Sequence, residues 1–197
     1  MKKIPLMLCL SRFFLGPVVI AVSFTGPHPV LFLVLLLAGI LSDILDGILA
    51  RRWGVATPRL RELDSQADLV FWLCTAVAAY VVYPEVVREH SFEVLVLMLS
   101  EAMTYVVSYL KFRRFISTHA LIAKFFGLAL FAALTSLLCF GVAGVPFYVM
   151  LSLGLIANLE IIAIIFILPR CEHDIPSWRQ ALRVRRGLPV QRKKMFN

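Results

Sequence analysis

Six apolar runs, at residues 4–24, 29–50, 66–84, 92–110, 119–143 and 146–168, punctuate this chain of 197 residues. Each is long enough to cross a bilayer as an α-helix, and a lipid-exposed backbone has to satisfy its own hydrogen bonds, which a helix does. Six spans consume about 120 residues and leave only short connections and a tail. The expected fold is therefore all-α: a polytopic membrane protein with six transmembrane helices in residues 1–170, followed by a basic cytoplasmic tail over 171–197. Hydrophobic residues make up 60% of the chain and charged ones 16%, which excludes a soluble domain with a solvated surface.

The connections carry their basic residues in alternation. Lys2 and Lys3 precede the first run, and TGPHP after it has none; Arg51, Arg52, Arg59 and Arg61 then stand in the second connection and only Arg88 in the third. Lys111, Arg113 and Arg114 fill the fourth, none lies around Gly144, and eight follow from Arg170 onward. The positive-inside rule puts both termini and the second and fourth connections in the cytoplasm, a parity that six spans satisfy. Basic residues placed between apolar runs suit anionic lipid heads and phosphate-bearing substrates, so the net charge of +8 does not point to nucleic acid. MKK before an apolar stretch imitates a signal peptide, but Arg12 interrupts that stretch and no small-residue cleavage site follows, so we expect a retained first helix. In the tail, Trp178, Ala181, Leu182 and Arg185 recur at helical spacing, as in an interfacial helix on the inner leaflet or a solvated basic tail. Cys9, Cys74, Cys139 and Cys171 fall singly in or beside apolar runs, where no disulfide is expected.

The chemistry concentrates in SDILDGILARRWGVATPRLRELDSQAD, between the end of the second run and the start of the third. Asp43 and Asp46 are spaced i, i+3, and Asp64 and Asp68 i, i+4, so each pair shares a helix face. Two antiparallel helices joined by a short loop bring the pairs together near the membrane surface. Four converging carboxylates repel one another in a low dielectric, and divalent cations relieve that repulsion. Oxygen donors without His or Cys favour Mg²⁺ or Mn²⁺ over zinc, and two ions suit phosphoryl chemistry. The plainer reading is of helix-end charges paired with the nearby arginines, and four acids at these spacings weigh against it. Gly47 and Ala50 keep the same face nearly free of side-chain bulk, either for helix packing or for a close ligand. Arg51 beyond them is either a membrane anchor or a guanidinium for a diphosphate.

Together these residues resemble the signature of the CDP-alcohol phosphatidyltransferases, D-x-x-D-G-x-x-A-R, eight residues, then G-x-x-x-D-x-x-x-D. Asp43, Asp46, Gly47, Ala50, Arg51, Asp64 and Asp68 supply seven of its eight defining positions, and Leu60 stands where the family has its second glycine. LSRFFLGP in the first run is similar to the family's Arg-then-Pro first helix. The resemblance implies transfer of a phosphatidyl group from a CDP-linked lipid to a small alcohol acceptor with release of CMP, in a homodimer embedded in membrane lipids. It also implies that Asp43, Asp46 and Asp64 hold the metals, that Asp68 helps bind metal and is the base, and that Gly47, Ala50, Arg51 and position 60 line the CDP donor. Leu60 in the place of the second glycine implies a divergent member, with a different donor or weaker nucleotide binding.

Lys124 lies in the fifth run near its cytoplasmic end and, with Arg113 and Arg114, is a candidate for holding an acceptor's phosphate or carboxylate. Arg12 faces either the polar cavity or the headgroups. Glu101 and Glu160 sit within spans, as cavity residues or as partners of a basic side chain, and His119 opens the fifth run as an acceptor contact or a structural histidine. Two rival functions remain: a cation transporter, which would need acids continuing across the membrane, and a family member that binds lipid or nucleotide without catalysis.

Overall fold

The computed structural model describes residues 4–55, 57–113, 121–168, 175, 177–186 and 188, with the side chains of positions 58, 61, 121, 123 and 124 left out. The described residues form eight helices and no strand: α1 (Ile4–Ser23), α2 (Pro29–Arg52), α3 (Pro58–Val82), α4 (Pro84–Glu89), α5 (Ser91–Phe112), α6 (Leu121–Phe140), α7 (Val145–Ile167) and α8 (Trp178–Arg185). Five of them, α1, α2, α3, α5 and α7, are long and apolar enough to cross a membrane, and α6 contains a shorter apolar stretch, Phe125–Phe140. The protein is an all-helical, polytopic membrane protein.

The distribution of side chains explains why a membrane is required. Phe14, Phe24, Val30, Phe92 and Phe140 are each more than 70% exposed, whereas Arg12, Ser42, Asp46, Thr75, Thr104, Ser108 and Asn158 are buried. Water would favour the reverse arrangement; hydrocarbon outside and polar contacts inside favour this one.

Two compact units divide the described helices. The first comprises residues 1–88 and 131–143, hence α1 to α3, most of α4 and the second half of α6. In it α1 packs against both α2 and α3, which touch each other at only a few positions. Two glycines permit the closest approaches. A β-carbon on Gly16 of α1 would stand 3.0 Å from the Cys74 sulfur of α3, and one on Gly39 of α2 would run into the Phe71 ring of α3.

The α2–α3 link is built by local rules. Gly54 takes φ +64° after the end of α2; its N–H donates to Arg51 O and the N–H of Val55 donates to Ala50 O, closing a Schellman motif. Thr57 then accepts from the N–H of Leu60 at 3.2 Å as N-cap of α3, and Pro58 occupies the first helical position. These signals start α3 two turns before the apolar run at 66, so the polar segment carrying Asp64 is helical too. The short α4 was not foreseen; Pro84 at its start, Glu85 in its first turn and the Arg88–Glu85 ion pair at 2.9 Å account for it.

The second unit comprises residues 89–130 and 144–197. In it α5 packs on α7, and α7 on α8. Gly154 of α7 makes room for Leu97 and Phe126. Lys111, in the last turn of α5, donates to the carbonyls of Ile165 and Phe166 at 2.9 Å each, covering acceptors exposed at the end of α7. The tail helix α8 is anchored: Ala181 joins Ile164, Leu168 and Ile175 in a buried cluster, and the N–H of Trp178 approaches a Glu160 carboxylate oxygen at 3.4 Å. Among the described residues Glu160 thus meets a helix N-terminus.

Candidate active site

Arg12 is the centre of the polar site. It is 0% exposed, although it lies in the middle of α1, and its guanidinium meets all four aspartates. One terminal nitrogen, Nη1, donates to Asp43 at 2.9 Å and to Asp68; the other, Nη2, donates to Asp46 at 2.5 Å and to Asp64. Each nitrogen therefore joins one acid of α2 to one acid of α3. The depths agree along the helices: Arg12 is eight residues into α1, Asp46 six from the end of α2 and Asp64 six into α3, roughly 9 to 12 Å each at the helical rise.

The four carboxylates suit hard cations, and one thiol lies beside them. Carboxylate oxygens of Asp43, Asp64 and Asp68 lie within 4.8 Å of one another, as do ligand atoms of Asp46, Asp64 and the Cys9 thiol. Asp64 is common to both groups, and the group without the thiol is the all-oxygen one. Among the described residues, four carboxylates against one guanidinium leave a formal excess of three negative charges, which one or two divalent ions would compensate. The residues present fit Mg²⁺ or Mn²⁺.

An apolar floor closes the cluster on one side. Gly39 is one turn before Asp43, Phe71 one turn after Asp68, and the Phe71 ring, 1% exposed, lies against Gly39. On the other side the described contacts are few. A β-carbon at Gly47 would meet only the Arg51 guanidinium among the described residues, at 3.6 and 3.9 Å, so this glycine leaves space where Gly39 fills it. Ala50 is buried, Arg51 is exposed and Leu60 is half-buried in the first turn of α3, on the face that leads to Asp64 and Asp68.

The four aspartates expected to converge are thus brought together, with an element that the sequence reading did not put between them. Helices α2 and α3 were expected to present their acids to each other directly; instead α1 stands against both, and Arg12 makes the connection. Cys9, read as a plain apolar-run residue, is 1% exposed and sits one turn from Arg12 beside Asp46 and Asp64. The sequence did carry one signal for Arg12: a charge deep in an apolar span needs a partner. No comparable signal marked Cys9.

Of the acceptor candidates, Arg113 is described. It caps α5 in the left-handed region, φ 54°, with its guanidinium 5.7 Å from the Tyr109 ring centre. Arg114, His119 and the Lys124 side chain lie outside the described residues. Glu101, expected in a cavity or beside a basic group, hydrogen-bonds with Asn158 and Tyr105, and Asn158 donates to Ser100 Oγ at 2.8 Å.

Among known proteins, the curated sequences and the solved structures provide no match to this chain. The sequence profile of the CDP-alcohol phosphatidyltransferases, by contrast, matches residues 2–170, a stretch that contains α1 to α7 with Arg12 and all four aspartates. This protein belongs to the CDP-alcohol phosphatidyltransferase family.

Proposed function

We propose that the protein transfers a phosphatidyl group from a CDP-linked lipid such as CDP-diacylglycerol to a small alcohol, releasing CMP, with Asp43, Asp46, Asp64 and Asp68 as its metal ligands and Asp68 also as its base. The observation that carries the reading is the gathering of four carboxylates, with an excess of negative charge, beside the open face at Gly47 in a chain of this family. Residues 1–170 are the catalytic membrane domain in this reading, and 171–197 a basic tail that faces the cytoplasm together with the site.

The acceptor's hydroxyl oxygen forms a bond to the β-phosphorus, the bond from that phosphorus to the bridging oxygen breaks, and CMP leaves with the bridging oxygen. The hydroxyl proton passes to the Asp68 carboxylate. Mg²⁺ or Mn²⁺, when bound, supplies positive charge to the diphosphate and to departing CMP. Gly47 and Ala50 let the nucleotide lie close to the α2 backbone, and Arg51, which borders that space, supplies a guanidinium to the diphosphate. Leu60 puts an isobutyl group on the approach to Asp64, which narrows the donor's access. Arg113, Arg114 and Lys124 are carried from the sequence as contacts for the acceptor's anionic group.

The test is CMP release from purified protein given CDP-diacylglycerol, Mg²⁺ or Mn²⁺, and a panel of glycerol 3-phosphate, inositol phosphate, inositol and serine. We expect acceptor-dependent CMP that disappears with EDTA and in Asp68→Asn. Absence of CMP with every acceptor, from folded protein, overturns the donor assignment.

A further inference from the structure

We propose that Arg12 is the resident counter-ion of the aspartate cluster, holding in the cation-free protein the place that divalent cations take in the loaded one, so that cation loading is an exchange in which the guanidinium gives up carboxylate partners. The inference rests on the reading of the four aspartates as metal ligands and adds a function for a residue outside the family signature quoted above.

Three observations carry it. The first is connectivity: α2 and α3 touch sparsely, and all four acids are instead joined through the two terminal nitrogens of one side chain on α1. The second is electrostatic. Asp46 is 4% exposed and the cluster lies within apolar helices, where uncompensated carboxylates would repel one another strongly. A guanidinium keeps its charge under all ordinary conditions and offers donors in a fixed fork, so it is suited to hold such a cluster together when no metal is bound. The third is competition. Asp43, Asp64 and Asp68, whose oxygens come within 4.8 Å of one another, are all acceptors of Arg12, so a cation bound by them meets both occupied lone pairs and a like charge.

The guanidinium is also held without being saturated. Its Nε is buried and has no hydrogen-bond partner among the described residues, so the side chain is fixed by its two terminal nitrogens alone. Releasing those contacts frees the whole head group.

A counter-ion and a scaffold predict opposite signs. If Arg12 competes with the cations, Arg12→Gln binds them more tightly and becomes dependent on them for stability. If Arg12 only shapes the site, the same change weakens binding. The experiment is Mn²⁺ titration of the full-length protein in nanodiscs, read from the free-ion electron paramagnetic resonance signal, alongside melting temperatures with Mn²⁺ and with EDTA. We expect Arg12→Gln to bind Mn²⁺ about tenfold more tightly than the wild type, the scale of one lost charge contact. We also expect EDTA to lower its melting temperature more than that of the wild type. Arg12→Lys, which keeps the charge and loses the fork, is expected between the two in affinity, and it carries the test if Arg12→Gln does not fold even in Mn²⁺. Weaker Mn²⁺ binding in either variant overturns the counter-ion role and leaves the metal site standing. No Mn²⁺ binding by any of the three proteins overturns both.

Discussion

The two units each place acid side chains inside membrane helices, and they treat them in opposite ways. In the first unit four carboxylates on α2 and α3 share one guanidinium from α1, so charge remains unbalanced among the described residues. In the second, Glu101 of α5 is matched by hydrogen-bonding groups, Tyr105 one turn along its own helix and Asn158 on α7, while Asn158 also reaches Ser100. Glu101 forms a local polar clasp between two helices. The aspartate cluster keeps an excess of negative charge among the described residues. A buried acid is therefore not by itself a mark of chemistry; an excess of like charge that the protein leaves uncompensated is the more telling feature.

Substitutions that touch one region and spare the other test this contrast. The largest effect is expected from Asp46→Asn and Asp68→Asn, each lowering CMP release roughly a hundredfold to a thousandfold, the scale of losing a group that stabilises a transferring phosphoryl. Asp68→Asn is expected to keep some donor binding and Asp46→Asn to lose its metal-dependent part, measured with radiolabelled CDP-diacylglycerol. Retained turnover in both would end the assignment of this cluster as the active site. Next in size is Gly39→Ala, whose methyl group collides with the Phe71 ring beneath the acids; overpacking of this kind costs about 1 to 3 kcal/mol and should appear as a lower melting temperature. Asn158→Leu should cost roughly 1 kcal/mol in the same assay, as expected for an interhelical hydrogen bond in a membrane, and leave the catalytic rate nearly unchanged. Glu101→Gln should alter CMP release by less than about twofold, since its partners are neutral hydrogen-bonding groups. A large loss of activity there would erase the distinction between the two regions. The smallest change is expected for Leu60→Gly, a modest tightening of CDP binding by calorimetry; weaker binding would show that the isobutyl group belongs to the donor's pose.

The sequence made the helices and the four aspartates legible for a simple reason. Apolar length reports a span and i, i+3 or i, i+4 spacing reports a shared face, and both are local properties of one segment. Arg12 was visible as a charge in the wrong solvent, but its partners were 31 to 56 positions away, and no local pattern decides between a headgroup and a buried carboxylate. Gly39 and Gly47 look alike in the sequence. Only the fold reveals that the first receives a phenylalanine ring and the second meets only the Arg51 guanidinium among the described residues. Likewise Gly54, too early in the chain to replace the missing second glycine of the signature, owes its place to the helix end it terminates. The tail's amphipathic spacing indicated a helix but not that Ala181 docks it onto the end of α7.

All five charged groups of the cluster fall between residues 12 and 68, on the first three helices of the chain. Synthesis from the N-terminus therefore delivers them before any part of α5 or α7 has left the ribosome. Arg12 enters first, as an isolated positive charge in an apolar segment, and α2 and α3 then bring the acids that neutralise it. Charges that would each resist insertion alone are more acceptable as a set, so a cluster placed this early in the chain is able to form as soon as its three helices meet.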